Sequence, residues 1–121
     1  MDAALLFWRV LILAVSYDPE SLNRRLQALE RLGNIVVPAS SFQSCMNAIF
    51  NPFHVLIIGA SVPDADRKKI AEESKKIRPR AEIISVEYPE SKRLDLADVV
   101  VPAGDEEKLL EAVRRLHHRR P

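Results

Sequence analysis

Chemistry in this sequence would have to come from a few polar side chains that follow apolar runs. Ser16, Tyr17 and Asp18 follow the run Val10 to Val15, and Ser61, Asp64 and Asp66 follow Val55 to Ile58. Aspartates brought together would suit a hard divalent cation, which takes oxygen ligands. Asp is also a leading N-cap residue, and Asp18 precedes a helix-opening proline, so capping is the stronger reading for it and for Asp64 or Asp66. Tyr17 offers either a filler or a polar handle for a partner or ligand. Cys45 is the single cysteine, which excludes an internal disulfide and a cysteine zinc cage. No Lys, Arg or His lies near it in sequence to stabilise a thiolate, so it reads as a small core residue. His54 sits at the start of an apolar run as a boundary residue. His117 and His118 are adjacent, point about 100° apart on a helix and make a poor metal pair. Gly33, Gly59 and Gly104 are too far apart for a phosphate cradle, and neither Gly-x-Ser-x-Gly nor His-Glu-x-x-His occurs. The expectation is a protein that is not an enzyme and has no cofactor or metal.

The chain has 121 residues, which fits one domain, 1–121, with a basic C-terminal tail at 117–121. Hydrophobic residues make up 47% and charged residues 29%, the balance of a globular rather than a disordered chain. Lys plus Arg is 18 against 17 Asp plus Glu, and a net charge of +1 argues against nucleic acid as partner. The cations from Arg114 to Arg120 read as partners of a helix dipole rather than as a binding patch, since no aromatics interleave with them. The run Ala3 to Val15 falls short of the roughly 20 apolar residues a bilayer demands, and Arg9 interrupts it. Asp2 precedes it where a signal peptide would carry positive charge. No membrane association and a cytoplasmic location are expected.

The elements that must position these residues are marked by prolines. Trp8 to Val15 is apolar on both faces, as a strand covered by helices on each side must be. Asp18-Pro19-Glu20 opens a helix with Leu22, Leu26, Leu29 and Leu32 at helical spacing, and Gly33 stops it. Ile35 to Val37 is a short strand ended by Pro38, which favours a sheet edge. Ser40 or Ser41 caps a helix over 42–50, with Cys45, Met46, Ile49 and Phe50 inward. His54 to Ile58 is a second buried strand, and a helix over 65–77 keeps Lys68, Lys69, Lys75 and Lys76 outside. Ile83 to Val86 and Val99 to Val101 are further strands. Asp105 to His117 is the last helix, with Leu109, Leu110, Val113 and Leu116 inward. Between Val86 and Asp98, Pro89 leaves space for one or two helical turns at most.

Strands alternating with helices across short connections ask for a parallel sheet with helices on both faces. Right-handed crossovers and the proline-marked edge give the order 2-1-3-4-5, an α/β three-layer flavodoxin-like sandwich whose fourth helix is shortened. Ligands in this topology sit beyond the first and third strands, at Ser16-Tyr17-Asp18 and Gly59-Ala60-Ser61.

At these residues the sequence begins to look like a family. VLILAVSYDP from Val10 to Pro19, the helix ending in Leu32-Gly33, HVLIIGASVP from His54 to Pro63, and ADVVVP from Ala97 to Pro102 resemble the CheY-like receiver domains of bacterial two-component response regulators. The resemblance covers nearly the whole chain. It implies an acidic pair for Mg²⁺ after the first strand, a phosphoacceptor aspartate ending the third, a Ser or Thr after the fourth and a Lys after the fifth. Those positions fall here on Ser16 and Tyr17, on Gly59, on Val86 (or Ser85, one residue away), and on Val101. Glycine has no side chain to phosphorylate, and valine carries neither a charge nor a hydrogen-bond donor. Asp18 is the residue that would have to rescue a metal site.

The expectation is therefore a degenerate receiver, a phosphorylation-independent interaction module that binds a histidine kinase, an effector domain or a second copy of itself. An alternative is a small-molecule sensor using the vacated pocket. The first expects an exposed apolar patch on the last strand and helix, and the second a cavity beside Tyr17. A third, relocated aspartyl phosphorylation, expects Mg²⁺ affinity.

Overall fold

Two strands apolar on both faces, Leu11–Val15 (β1) and Val55–Ile58 (β3), form the centre of the sheet, because only a doubly covered strand can bury every side chain. The computed structural model describes residues 10–119. The beginning of the expected first strand at Trp8 and the side chains of the tail from His117 onward lie outside the described residues. Three further strands, Ile35–Ala39 (β2), Glu82–Glu87 (β4) and Val99–Pro102 (β5), complete a parallel sheet of order β2-β1-β3-β4-β5. The connecting helices are Pro19–Arg31 (α1), Phe42–Ala48 (α2), Asp64–Ile77 (α3) and Glu106–Arg119 (α4). Among the described residues, no helix is long and apolar enough to cross a membrane.

Alternation along the strands divides the core in two. Leu13, Val15, Leu56, Ile58 and Ile83 face Cys45, Ile49 and Ile70 of α2 and α3. Ile12, Ala14, Ile57, Ile84, Val86 and Val101 face Leu22, Leu29, Leu109 and Val113 of α1 and α4. The caps follow from the residues at the helix starts. Asp18 accepts from the N–H of Glu20, with Pro19 in the first turn, and Ser41 forms a capping box with Ser44. Gly33 takes a positive φ of 89°, which a residue with a Cβ rarely adopts, and so ends α1.

Several expectations need correction. The N-cap of α3 is Pro63, without a side-chain bond, so neither Asp64 nor Asp66 caps; both lie in the first turn, where a carboxylate still complements the dipole. Pro38 lies inside β2 opposite Ala14, which an edge strand tolerates because only one side of its backbone is paired. Helix α2 ends at Ala48, and Phe50 beyond it is 69% exposed rather than inward. Leu32 is exposed as well, since α1 has already ended at Arg31. The shortening of the helix between β4 and β5 is complete: Tyr88 to Asp98 forms turns only. Among the described residues, exposed large apolar side chains lie at Leu32, Ile35, Val37, Phe50, Tyr88 and Leu96, and none of these is on β5 or α4 as a patch there would need. The apolar side of α4 is spent on the sheet, with Leu109, Val113 and Leu116 all buried.

Candidate functional site

The carboxyl ends of β1 and β3 lie side by side, held by the Gly59 N–H donating to Val15 O at 2.7 Å. This brings Ser16, Tyr17, Asp18 and Gly59 together, as the sequence implies, at the crevice where the strand order reverses. Ser16 is buried, and its Oγ lies 3.1 Å from Ser61 Oγ. Ser61 Oγ also accepts from the Tyr17 N–H at 2.9 Å. The Tyr17 hydroxyl donates to Asp66 Oδ2 at 2.8 Å, and its ring packs against the core on the α2–α3 side. Partial burial, then the bond to Asp66 and its negative charge, push the Tyr17 hydroxyl above its ordinary pKa, so it stays a protonated donor. Asp18 is exposed and turned to its own helix. Hydroxyls thus satisfy one another where carboxylates would hold a cation.

The decisive side chain is one that sequence reading missed. Arg25, on α1, is 5% exposed, and a Cβ built on Gly59 would lie 3.2 Å from its Nη1. The same Cβ would lie 2.9 Å from Val15 O and 3.2 Å from Ser16 Cβ. Arg25 is held there by Glu106 of α4, with Nη2 donating at 2.8 Å and Nε at 3.5 Å. The position over the end of β3 is therefore occupied by a guanidinium. Three residues after Leu22 and four before Leu29, Arg25 shares the buried face of α1, and that spacing is the signal that could have found it.

A second buried arginine supports Gly59 from the other side. Arg67 of α3 is 2% exposed and donates through Nη1 to Gly59 O at 2.7 Å. Its Nη2 donates to Ser85 Oγ and, at 3.1 Å, to Val86 O. Ser85 Oγ in turn donates to Glu87 Oε2 at 2.7 Å, and the same oxygen accepts from the Leu94 N–H at 3.1 Å. Burial lowers the Arg67 pKa, while the charges of Glu87 (3.8 Å away) and Asp64 act in the opposite direction. Ser85 is thus tied to the α3 side of the sheet, whereas Val86 and Val101 lie buried on the α1–α4 side. The four sequence-expected positions around Gly59 do not form one open polar pocket.

A Mg²⁺ ion does not fit these residues. Ser16 and Tyr17 supply no carboxylate, and an ion beside Gly59 would face the Arg25 guanidinium. Among the described residues, no three His, Cys, Asp or Glu side chains are grouped to hold a metal ion. His54 Nδ1 accepts from the Leu11 N–H at 3.0 Å and so ties β3 to β1.

Cys45 is fully buried, and burial pushes its thiol up to about 12 from an ordinary 9.0. The unfolded thiol ionises first, so between those pH values the unfolded state binds fewer protons and stability falls as pH rises. We expect Cys45 to resist a soluble aromatic disulfide reagent at pH 8 and to react fully in denaturing urea. Rapid stoichiometric reaction of the folded protein would contradict this placement.

Solved structures of similar shape are response-regulator receiver domains. A CheY-like receiver domain protein from Methanospirillum hungatei is 23% identical, with a TM-score of 0.78 over 91% of this chain and 94% of that one. The non-phosphorylated HemR receiver domain from Leptospira biflexa is 19% identical, with a TM-score of 0.79 over 93% and 98%. TrrA from Thermotoga maritima, in complex with Mg²⁺ and BeF, is 22% identical, with a TM-score of 0.77 over 88% and 98%. No family model and no curated protein sequence matches this chain. The fold is that of these receiver domains.

Proposed function

We propose that this chain is a degenerate receiver, a protein-interaction module of cytoplasmic bacterial signalling that works without aspartyl phosphorylation. One observation carries the reading: the Arg25 guanidinium stands 3.2 Å from where a side chain at Gly59 would begin, and Glu106 holds it there. A phosphoacceptor needs a carboxylate nucleophile and a cation beside the incoming phosphoryl group. Here the cation is built into the chain and the nucleophile is missing. The guanidinium bridges α1 and α4 with this chain's own groups, so in this reading the face formed by these helices is set without phosphate. Partners suited to such a face are other signalling proteins, among them a kinase, an effector domain or a second copy. No substrate is turned over in this reading.

The test is incubation with acetyl phosphate and Mg²⁺, followed by intact mass, with a beryllofluoride titration read by amide NMR. The expected result is no phosphoryl adduct and no saturable shift at Ser16, Tyr17, Asp18 or Gly59. An adduct, or saturable shifts clustered at those residues, overturns the proposal and makes the protein a switch with relocated acids.

A further inference from the structure

Where the chain between β4 and β5 forms turns only, a cleft of about 440 Å³ lies with the first half of α3 on one side and residues 92–96 on the other. That volume lies in the range of small-molecule sites, which are mostly apolar with a few placed polar groups. Ala65, Leu94 and Leu96 give this cleft apolar surface. Lys92 and Arg93 stand on its loop side, both exposed and in none of the ion pairs among the described residues. Arg67 also lines it, and Nε is the one nitrogen of that buried guanidinium without an acceptor. A buried donor left unpaired is rare in folded proteins and marks a place where an acceptor is absent.

We propose that this cleft is a binding site for a small organic anion, a compact apolar body carrying one phosphate or carboxylate group. The apolar body lies against Leu94 and Leu96, and the anion meets the exposed Lys92 and Arg93, with the buried Arg67 charge behind them. Asp64, Glu72 and Asp95 also line the cleft and nearly balance its cations. A bare inorganic ion therefore gains little there, and affinity depends on the apolar part as much as on the charge. The site is wired to the vacated phosphoacceptor position, because Arg67 bonds to Gly59 O and Glu87 holds the Leu94 N–H. The inference extends the reading of a phosphorylation-independent receiver by naming an input for it.

The test is an amide NMR titration of the full chain with phenyl phosphate, with inorganic phosphate and benzyl alcohol in parallel. Phenyl phosphate is expected to give saturable shifts in residues 64–68 and 92–96, with at least tenfold weaker binding in the Lys92→Ala/Arg93→Ala variant. Both substituted side chains are exposed, so the variant keeps its folded spectrum, and residues 64–68 report its binding. The proposal fails if phenyl phosphate gives no saturable shift there, if the variant binds equally well, or if inorganic phosphate alone does as much. A failed titration leaves the phosphorylation reading untouched. An aspartyl adduct would sink that reading without moving residues 92–96.

Discussion

Arg67→Ala is expected to lower the free energy of unfolding by about 3–5 kcal/mol, the cost of removing one partner from a buried ion pair. The side chain donates to Gly59 O and Val86 O and offsets the charge of Glu87, itself buried, to which Ser85 Oγ donates. Truncation leaves a carboxylate without a cation and takes one donor each from Gly59 O and Val86 O, and a cavity adds to the loss. A domain of this size has a total stability of about 5–15 kcal/mol, so the variant should lose a large fraction of it. The double variant Arg67→Met/Glu87→Leu should recover only part of the loss: replacing both charges removes their desolvation penalty, while the Leu94 N–H and Ser85 Oγ lose their acceptor. Urea unfolding followed by circular dichroism measures both. A loss under about 1 kcal/mol for Arg67→Ala would mean that Glu87 finds water or another cation when the guanidinium is gone.

Arg67 also shows where sequence reading stops. The strands were legible because β1 and β3 are apolar on both faces, and that pattern fits a doubly covered sheet. Asp18-Pro19 was legible because capping chemistry is local. A charged residue on an inward helical face reads as solvated, because nothing local reveals its partner. Arg25 finds Glu106 across 81 residues, and Arg67 finds Ser85 across 18. Tertiary contacts of that kind decide the site, so the glycine at the end of β3 was legible and the guanidinium beside it was not. Phe50 differs from expectation for another reason: the helical pattern continues past Ala48, but turn residues end regular structure there, before Pro52.

Gly59→Asp is expected to gain no phosphoryl group from acetyl phosphate and Mg²⁺, and to unfold more easily than the parent by about 1–3 kcal/mol, the usual cost of forcing volume into a packed place. Placing a carboxylate at Gly59 looks like the simplest way to give the proposed site a nucleophile. Its Cβ alone would stand 2.9 Å from Val15 O, a backbone atom that moves only if β1 moves with it. If the strand does yield, the new carboxylate meets Arg25 before it meets a metal ion, and the guanidinium takes its lone pairs in a charge-assisted bond. Ser16 and Tyr17 still offer no second carboxylate, and Val101 no lysine. Adding Arg25→Ala removes the competing cation but not the contact with Val15 O, so the double variant should also remain unmodified. Intact mass after incubation reads the chemistry, and urea unfolding reads the strain. A phosphoryl adduct on Gly59→Asp alone would mean that one glycine had silenced an otherwise competent site. The Arg25–Glu106 bridge would then be a replaceable contact rather than the reason this receiver fold does without phosphate.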